Sequence, residues 1–294
     1  MIIDSHAHLV APPSFQAAWT MMEAAGPYSG RTPMHCTPDE LIEWADKQIA
    51  LMDEVGTDVQ LTSARPYTLK HSHKPGKLVE WWVQNNNDAV HIQAQARPDR
   101  IKGVAALPQQ AGEPVSVVFE ELSRCIDDLG FVGVLLNPDP GEGNGLTPTM
   151  DSEYWYPLYE KLVEYDVPAL LHCAGCYGRE NFSEHFISEE SLAILSMTRG
   201  TVFQDFPTLK IVVPHGGGSV PYQLGRWAAH TGKHKGWGGI DESLHEMRQL
   251  LRHFYYDTTI YTSQRLDGYI GPDPSAIYHS TTANQTKIVA TFSG

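Results

Sequence analysis

Residues 151–173 read DSEYWYPLYEKLVEYDVPALLHC, and their order decides the fold. From Asp151 to Tyr165 the apolar residues are spaced as on one face of a helix, and Val167 to Cys173 is a short apolar run that reads as a strand ending on a histidine. The same alternation recurs along the chain. Apolar runs at 1–4, 58–64, 101–107, 131–137, 167–173, 209–215, 253–259 and 287–291 make eight candidate strands. Helical spacing with start signals lies between them, after Thr37-Pro38-Asp39-Glu40 and at 113–129, 151–165, 188–199 and 241–252.

Strand followed by helix, repeated without a sharp change of composition, predicts an α/β protein whose parallel sheet closes into a (β/α)8 TIM barrel. A doubly wound open sheet is the alternative, but no GxGxxG opens a helix after the first strand. Residues 1–294 are expected to form one domain, with an insert at 11–38 rich in Pro, Gly, Met and Trp that serves as a cap or an oligomer contact, a homodimer being expected.

With 294 residues, 41% of them hydrophobic and 19% charged, the chain can bury a sizeable core. Its formal charge of −14 argues against nucleic acid or an anionic membrane as partner, since a phosphate-binding face needs a clustered positive excess. No apolar run approaches the ~20 residues of a membrane span, and Met1 leads straight into a strand without the regions of a signal peptide. A cytoplasmic protein is expected, with Cys36, Cys125, Cys173 and Cys176 as reduced thiols.

Four histidines fall where strands of such a barrel end. Alternate side chains of a strand share a face, so His6 and His8 point the same way. His172 closes PALLHC, and His215 closes IVVPH ahead of three glycines. Singly, each has a plainer explanation: an HxH pair arises by chance, a histidine in an apolar run packs in the core, and one before glycines caps a turn. Jointly, at the strand ends that form a barrel's active face, they predict a metal centre. Imidazole suits Zn2+ and related ions, and three protein ligands with an open position define a catalytic site.

DSHAHL (4–9), LLHCA (170–174) and VVPHGGGSVPYQLGR (212–226) resemble the metal-dependent amidohydrolase superfamily, in its aminocarboxymuconate-semialdehyde decarboxylase-like branch. SARPYTLKHSHKP (63–75), NNND (85–88), RPDRIKGVAALPQ (97–109) and DLGFVGVLLNPDP (128–140) extend the likeness, which runs from residue 1 to about 262. The resemblance implies His6, His8 and His172 as ligands of one divalent ion, zinc, with His215 nearby as a group that contacts water or substrate. It also implies a lyase of aromatic catabolism, a hydratase adding water to an unsaturated oxo-polycarboxylic acid. A non-oxidative decarboxylase, a hydrolase of a cyclic ester or amide, and a relative without catalysis are the alternatives.

The family pattern places an acidic residue after strand eight, where this sequence reads KIVATFSG (287–294). The barrel is therefore expected to be incomplete at its C-terminal end and less stable and less active for it, unless another residue takes the acidic role. Asp257, ending the seventh run, is the candidate, with a purely structural carboxylate as its alternative. Hydration and decarboxylation both pass through an enolate-like species that a metal or fixed donors must hold.

The substrate is expected to be a small, multiply charged carboxylic acid. Arg65, Lys70 and Lys74, with His71 and His73 between them, form a basic loop after strand two in an otherwise acidic chain. Arg65, His71 and Lys74, with Asn137 after strand four and Arg179 after strand five, are the candidate substrate contacts. The glycine-rich GEGNG (141–145) lacks the lysine and helix start of a phosphate loop and is expected to be mobile.

Overall fold

The computed structural model describes residues 1–176, 178, 184–231, 240–257 and 259. Its strands are β1 (Ile3–His8), β2 (Val59–Ser63), β3 (Ile101–Ala106), β4 (Gly133–Leu136), β5 (Ala169–Leu171), β6 (Ile211–Val213) and β7 (Phe254–Tyr256). They form one sheet of seven strands in sequence order, each parallel to its neighbours. Laid flat at the usual spacing, β1 and β7 would stand roughly 29 Å apart. Instead His6 Nδ1, in β1, lies 2.6 Å from Asp257 Oδ2, just past β7. The sheet is therefore curled almost onto itself, which is the (β/α)8 barrel class with seven strands among the described residues. The run at 287–291 lies outside them.

Residue parity along the strands separates two apolar layers. Val104, Leu135, Leu170 and Val212, with Leu61 and Tyr255 against them, link strands across the concave face. Ala105, Val134, Leu136, Ala169, Leu171, Ile211, Val213 and Phe254 belong to the larger cluster shared with the helices. Continuing the inner parity past the strand ends gives Asn137, His172 and Asp257.

The helices follow local signals. In α2 (Pro38–Val55), Thr37 Oγ1 accepts from Glu40 N and the Glu40 carboxylate accepts from Thr37 N, the capping box expected from the sequence. The helix expected at 113–129 is a composite: a 3-10 turn at Val115–Val118, α4 (Phe119–Ser123) and a π turn at Arg124–Asp128. Arg124 there forks onto Glu121 and also reaches Asp88. After α5 (Tyr156–Tyr165) comes α6 (His185–Arg199), which begins three residues before the expected 188, and then α7 (Val202–Asp205), α8 (Val220–Thr231) and α9 (Ile240–Leu251). No helix among the described residues is long and apolar enough to cross a membrane.

The 11–38 stretch holds a helix that its composition concealed, α1 (Pro13–Ala25), which buries Phe15, Ala18 and Met22. Phe15 packs 5.1 Å from Trp82, and Arg31 bonds Asn85 and Asp88, so the stretch lies on α3 (Gly76–Ala96). The four cysteines are free thiols.

Side-chain amides extend the sheet beyond its ladder. Asn87 of α3 receives Ala106 N at 2.9 Å and donates to Ala106 O at 3.0 Å, while Gln109 receives Asn137 N and donates to Asn137 O, both at 2.8 Å. Each amide acts as a neighbouring peptide would.

Candidate metal centre

The inward parity delivers His6, His8, His172 and Asp257 to one point at the carboxyl ends of the strands. The imidazole centroids of His6 and His8, and of His6 and His172, lie 4.9 Å apart, and those of His8 and His172 5.3 Å. His215 completes the group at 5.2 Å from His6 and 5.1 Å from His172. It enters from a turn in which its own backbone is left-handed, at φ 53°, a conformation that a side-chain-bearing residue seldom adopts.

The His6, His8 and His172 rings are each held by one nitrogen. His6 Nδ1 faces Asp257 Oδ2 at 2.6 Å, His8 Nδ1 faces Ser63 Oγ at 3.0 Å, and His172 Nδ1 faces the Cys173 carbonyl at 2.7 Å. Carboxylate and carbonyl only accept, and the Ser63 hydroxyl spends its proton on the Ala7 or Ala64 carbonyl. The partners thus assign the proton to Nδ1 in all three rings and leave three bare Nε2 atoms converging. Ligand atoms of His6, His8 and His172 lie within 4.8 Å of one another, and His6 Nε2 is 3.1 Å from His8 Nε2. Two nitrogens on one tetrahedral zinc would stand about 3.3 Å apart. Facing lone pairs at such a distance repel unless a cation lies between them, so the donor set fits a divalent metal.

Burial holds the His8 and His172 imidazoles well below the usual histidine range, and the neighbouring imidazoles add to the effect, with Arg65 adding to it at His8. Neutral rings are the form that ligates. Burial pushes Asp257 upward, but the His6 hydrogen bond, the charges of His6 and His215 and the Gly216 N–H outweigh it, and the carboxyl is held below its ordinary value. Its second oxygen accepts from Gly216 N at 3.0 Å and Thr259 N at 3.1 Å. Asp257 therefore braces both the His6 ring and the glycine turn.

Glu190 was not anticipated from the sequence. It lies on α6, fully buried, with both carboxylate oxygens 3.0 Å from His215 Nδ1. Burial and then the charge of Asp257 push its carboxyl well above the usual range, while the Cys173 N–H draws it the other way. Burial likewise lowers His215, against the pull of Asp257. The only signal in the sequence was an acidic residue among the buried positions of α6, visible once the face that α6 turns to the barrel is known.

The other candidates are placed more variously. Arg65 donates through Nε to Leu9 O at 3.1 Å and lines a cleft of about 320 Å3 with Phe15, Trp44, Tyr67 and Asn86. His71 is buried, with Nε2 on Leu107 O at 3.1 Å and Nδ1 2.9 Å from Asn137 Nδ2; Asn137 Nδ2 also donates to Asp139 O. Both rim residues are thus bonded within the protein. Lys74 Nζ, half exposed, donates to Ala111 O at 2.9 Å. Arg179 lies outside the described residues. The GEGNG segment is closely bonded: Asp139 accepts from Gly141 N and Gly143 N, and buried Glu142 accepts from Ser72 N and Ser72 Oγ. Asp139 ahead of the loop takes up its glycine N–H groups, and Glu142 within it ties the loop to Ser72, which composition alone did not show.

A barrel fold with histidines converging at the carboxyl ends of its strands defines a class, and comparison with known proteins agrees. The family model described as amidohydrolase matches residues 3–264, and the chain belongs to that family. A 2-keto-4-carboxy-3-hexenedioate hydratase of Sphingobium sp. (strain NBRC 103272 / SYK-6) is 31% identical over 267 residues, covering 89% of this chain and 76% of the relative. The crystal structure of 4-oxalomesaconate hydratase from Rhodopseudomonas palustris superposes with a TM-score of 0.80 at 29% identity, covering 95% of this chain and 81% of that one. A gamma-resorcylate decarboxylase of Rhizobium sp. (strain MTP-10005) is 29% identical over 198 residues, covering 63% of this chain and 59% of the relative.

Proposed function

We propose that the chain is a metal-dependent lyase, a hydratase that adds water to an unsaturated oxo-polycarboxylic acid such as 4-oxalomesaconate in the breakdown of aromatic compounds. The observation that carries this is the convergence of three bare Nε2 atoms, each ring fixed from behind, beside a fourth histidine. The similarity to two hydratases, over most of both chains, supports hydration over the other lyase chemistry. Residues 1–294 are taken as one domain.

His6, His8 and His172 would hold the ion, and zinc is the metal that an all-imidazole set with an open position suits. When bound, such an ion lowers the pKa of water and stabilises developing oxyanion charge. Asp257 keeps the His6 proton on Nδ1. His215, at the more exposed edge of the group, accepts or returns a proton through Nε2, and the Arg65 guanidinium, lining the neighbouring cleft, binds a substrate carboxylate.

The test is to incubate the purified, metal-replete protein with 4-oxalomesaconate and follow the conjugated absorbance together with evolved carbon dioxide. Loss of absorbance with one water incorporated and no gas is expected. Stoichiometric carbon dioxide would assign the protein to decarboxylation instead, in line with its decarboxylase relatives.

A further inference from the structure

We infer that Glu190 is the positioning residue of His215: its carboxylate holds the proton on Nδ1 and turns Nε2 toward the three ligand histidines. This rests on the proposed role of His215, but the geometry stands by itself.

Helix α6 meets the turn after β6 through two adjacent residues. Ser191 Oγ accepts from Ser219 N at 2.8 Å, and a Cβ placed on Gly218 would fall 2.6 Å from Ser191 Oγ and 2.9 Å from Ile187 O. That contact already fixes the helix against the turn, using a neutral hydroxyl. Glu190 is the preceding residue and adds a fully buried carboxylate, an expensive group to desolvate if anchoring were its purpose. Its two oxygens straddle the His215 Nδ1 direction at equal distances of 3.0 Å. A neutral imidazole otherwise exchanges between two tautomers and rotates about its Cβ–Cγ bond. An ionised carboxylate on one nitrogen removes both freedoms, as in a catalytic triad. The protonated acid that burial and Asp257 favour would instead donate to Nδ1 and leave the proton on Nε2, so the tautomer also reads the state of Glu190. The left-handed backbone of His215 belongs to the same arrangement, since it directs the ring inward from a turn that runs past the site.

The experiment is two-bond 15N–1H correlation NMR on histidine-labelled protein, with the His215 signals identified from their loss in His215→Gln. The expected result in the unaltered protein is a proton on Nδ1 and a bare Nε2, replaced by a tautomer mixture in Glu190→Ala. A proton on Nε2 in the unaltered protein, or an unchanged tautomer in Glu190→Ala, overturns the inference, and the first of these readings does not depend on whether Glu190→Ala folds. With substrate, Glu190→Ala should lower kcat roughly hundredfold with KM within about threefold, and Glu190→Gln, which still accepts from Nδ1–H, should recover about tenfold of the loss. A raised KM with kcat intact, or no recovery in Glu190→Gln, would show a merely structural role. If 4-oxalomesaconate is not turned over at all, the proposed function fails while the tautomer measurement still decides the role of Glu190.

Discussion

Asp257→Asn isolates what the brace behind His6 contributes. The replacement is nearly isosteric, but the carboxylate accepts on every side: from His6 Nδ1 at 2.6 Å, from Gly216 N at 3.0 Å, from Thr259 N at 3.1 Å and from Thr259 Oγ1 at 3.0 Å. An amide has one accepting end. With its oxygen toward the two backbone N–H groups, its NH2 faces His6 Nδ1–H and drives the proton to Nε2, where the metal should bind. With the amide reversed, its NH2 opposes two buried backbone donors, each costing about 1–3 kcal/mol unpaired. The first arrangement leaves fewer donors in conflict and should prevail. Metal affinity should therefore fall tenfold to a hundredfold, about 1.4–2.7 kcal/mol, the usual loss on removing such a support. Competition against a chelator of known affinity gives the Kd, and a parallel melt reports the other arrangement. A Kd and a Tm that both match the parent would refute the assignment of the Nδ1 proton.

Arg65→Ala should raise KM or lower kcat roughly tenfold to a hundredfold on carboxylated substrates, the scale of one charge-assisted hydrogen bond, and steady-state kinetics checks it. Burial holds the His71 imidazole down to about 4, with the Glu142 charge and the Leu107 carbonyl only partly opposing it. Because the unfolded chain protonates near pH 6.5 and the folded one does not, this contribution is complete above pH 6.5 and is lost as pH falls toward 4. Urea melts at pH 7.5 and pH 5 should show a smaller drop in His71→Gln than in the parent. Asn87→Asp removes the donor to Ala106 O and sets a carboxylate against Glu121 Oε1, now 2.7 Å from the amide nitrogen. A loss of about 3 kcal/mol is expected, and an unshifted denaturation midpoint would contradict it.

Strand order and the convergence of His6, His8 and His172 were legible because both follow from short-range pattern. Apolar runs of strand length mark β1–β7, and the parity that carries Leu170 inward carries His172 with it. Asp257 was legible for the same reason, following Tyr255, although whether it braced a ring or only a turn depended on which strand curled round to meet it. Glu190 was not legible, since a helix presents its residues at a period of 3.6 and the face turned to the barrel depends on packing. The same holds for His71 and Asn137. Their positions by the rim suggested substrate, while the partners that take up their polar atoms, Leu107 O, Asp139 O and each other, come from separate strands and loops. Helix α1 was hidden by Pro12-Pro13, which marks a helix start as well as a loop.

The amides of Asn87 and Gln109 bear on how this barrel could be re-engineered. Strands that diverge at the mouth run out of neighbours to pair with, and a peptide-like group on a flexible stem can follow them where a rigid backbone cannot. Each loop is thereby keyed to a residue elsewhere: the end of β3 to Asn87 on α3, the end of β4 to Gln109 in the loop after β3. A loop graft cut at the strand boundaries would leave its keying amide behind and open the mouth. The transplantable unit is the loop together with the distant asparagine or glutamine that closes it.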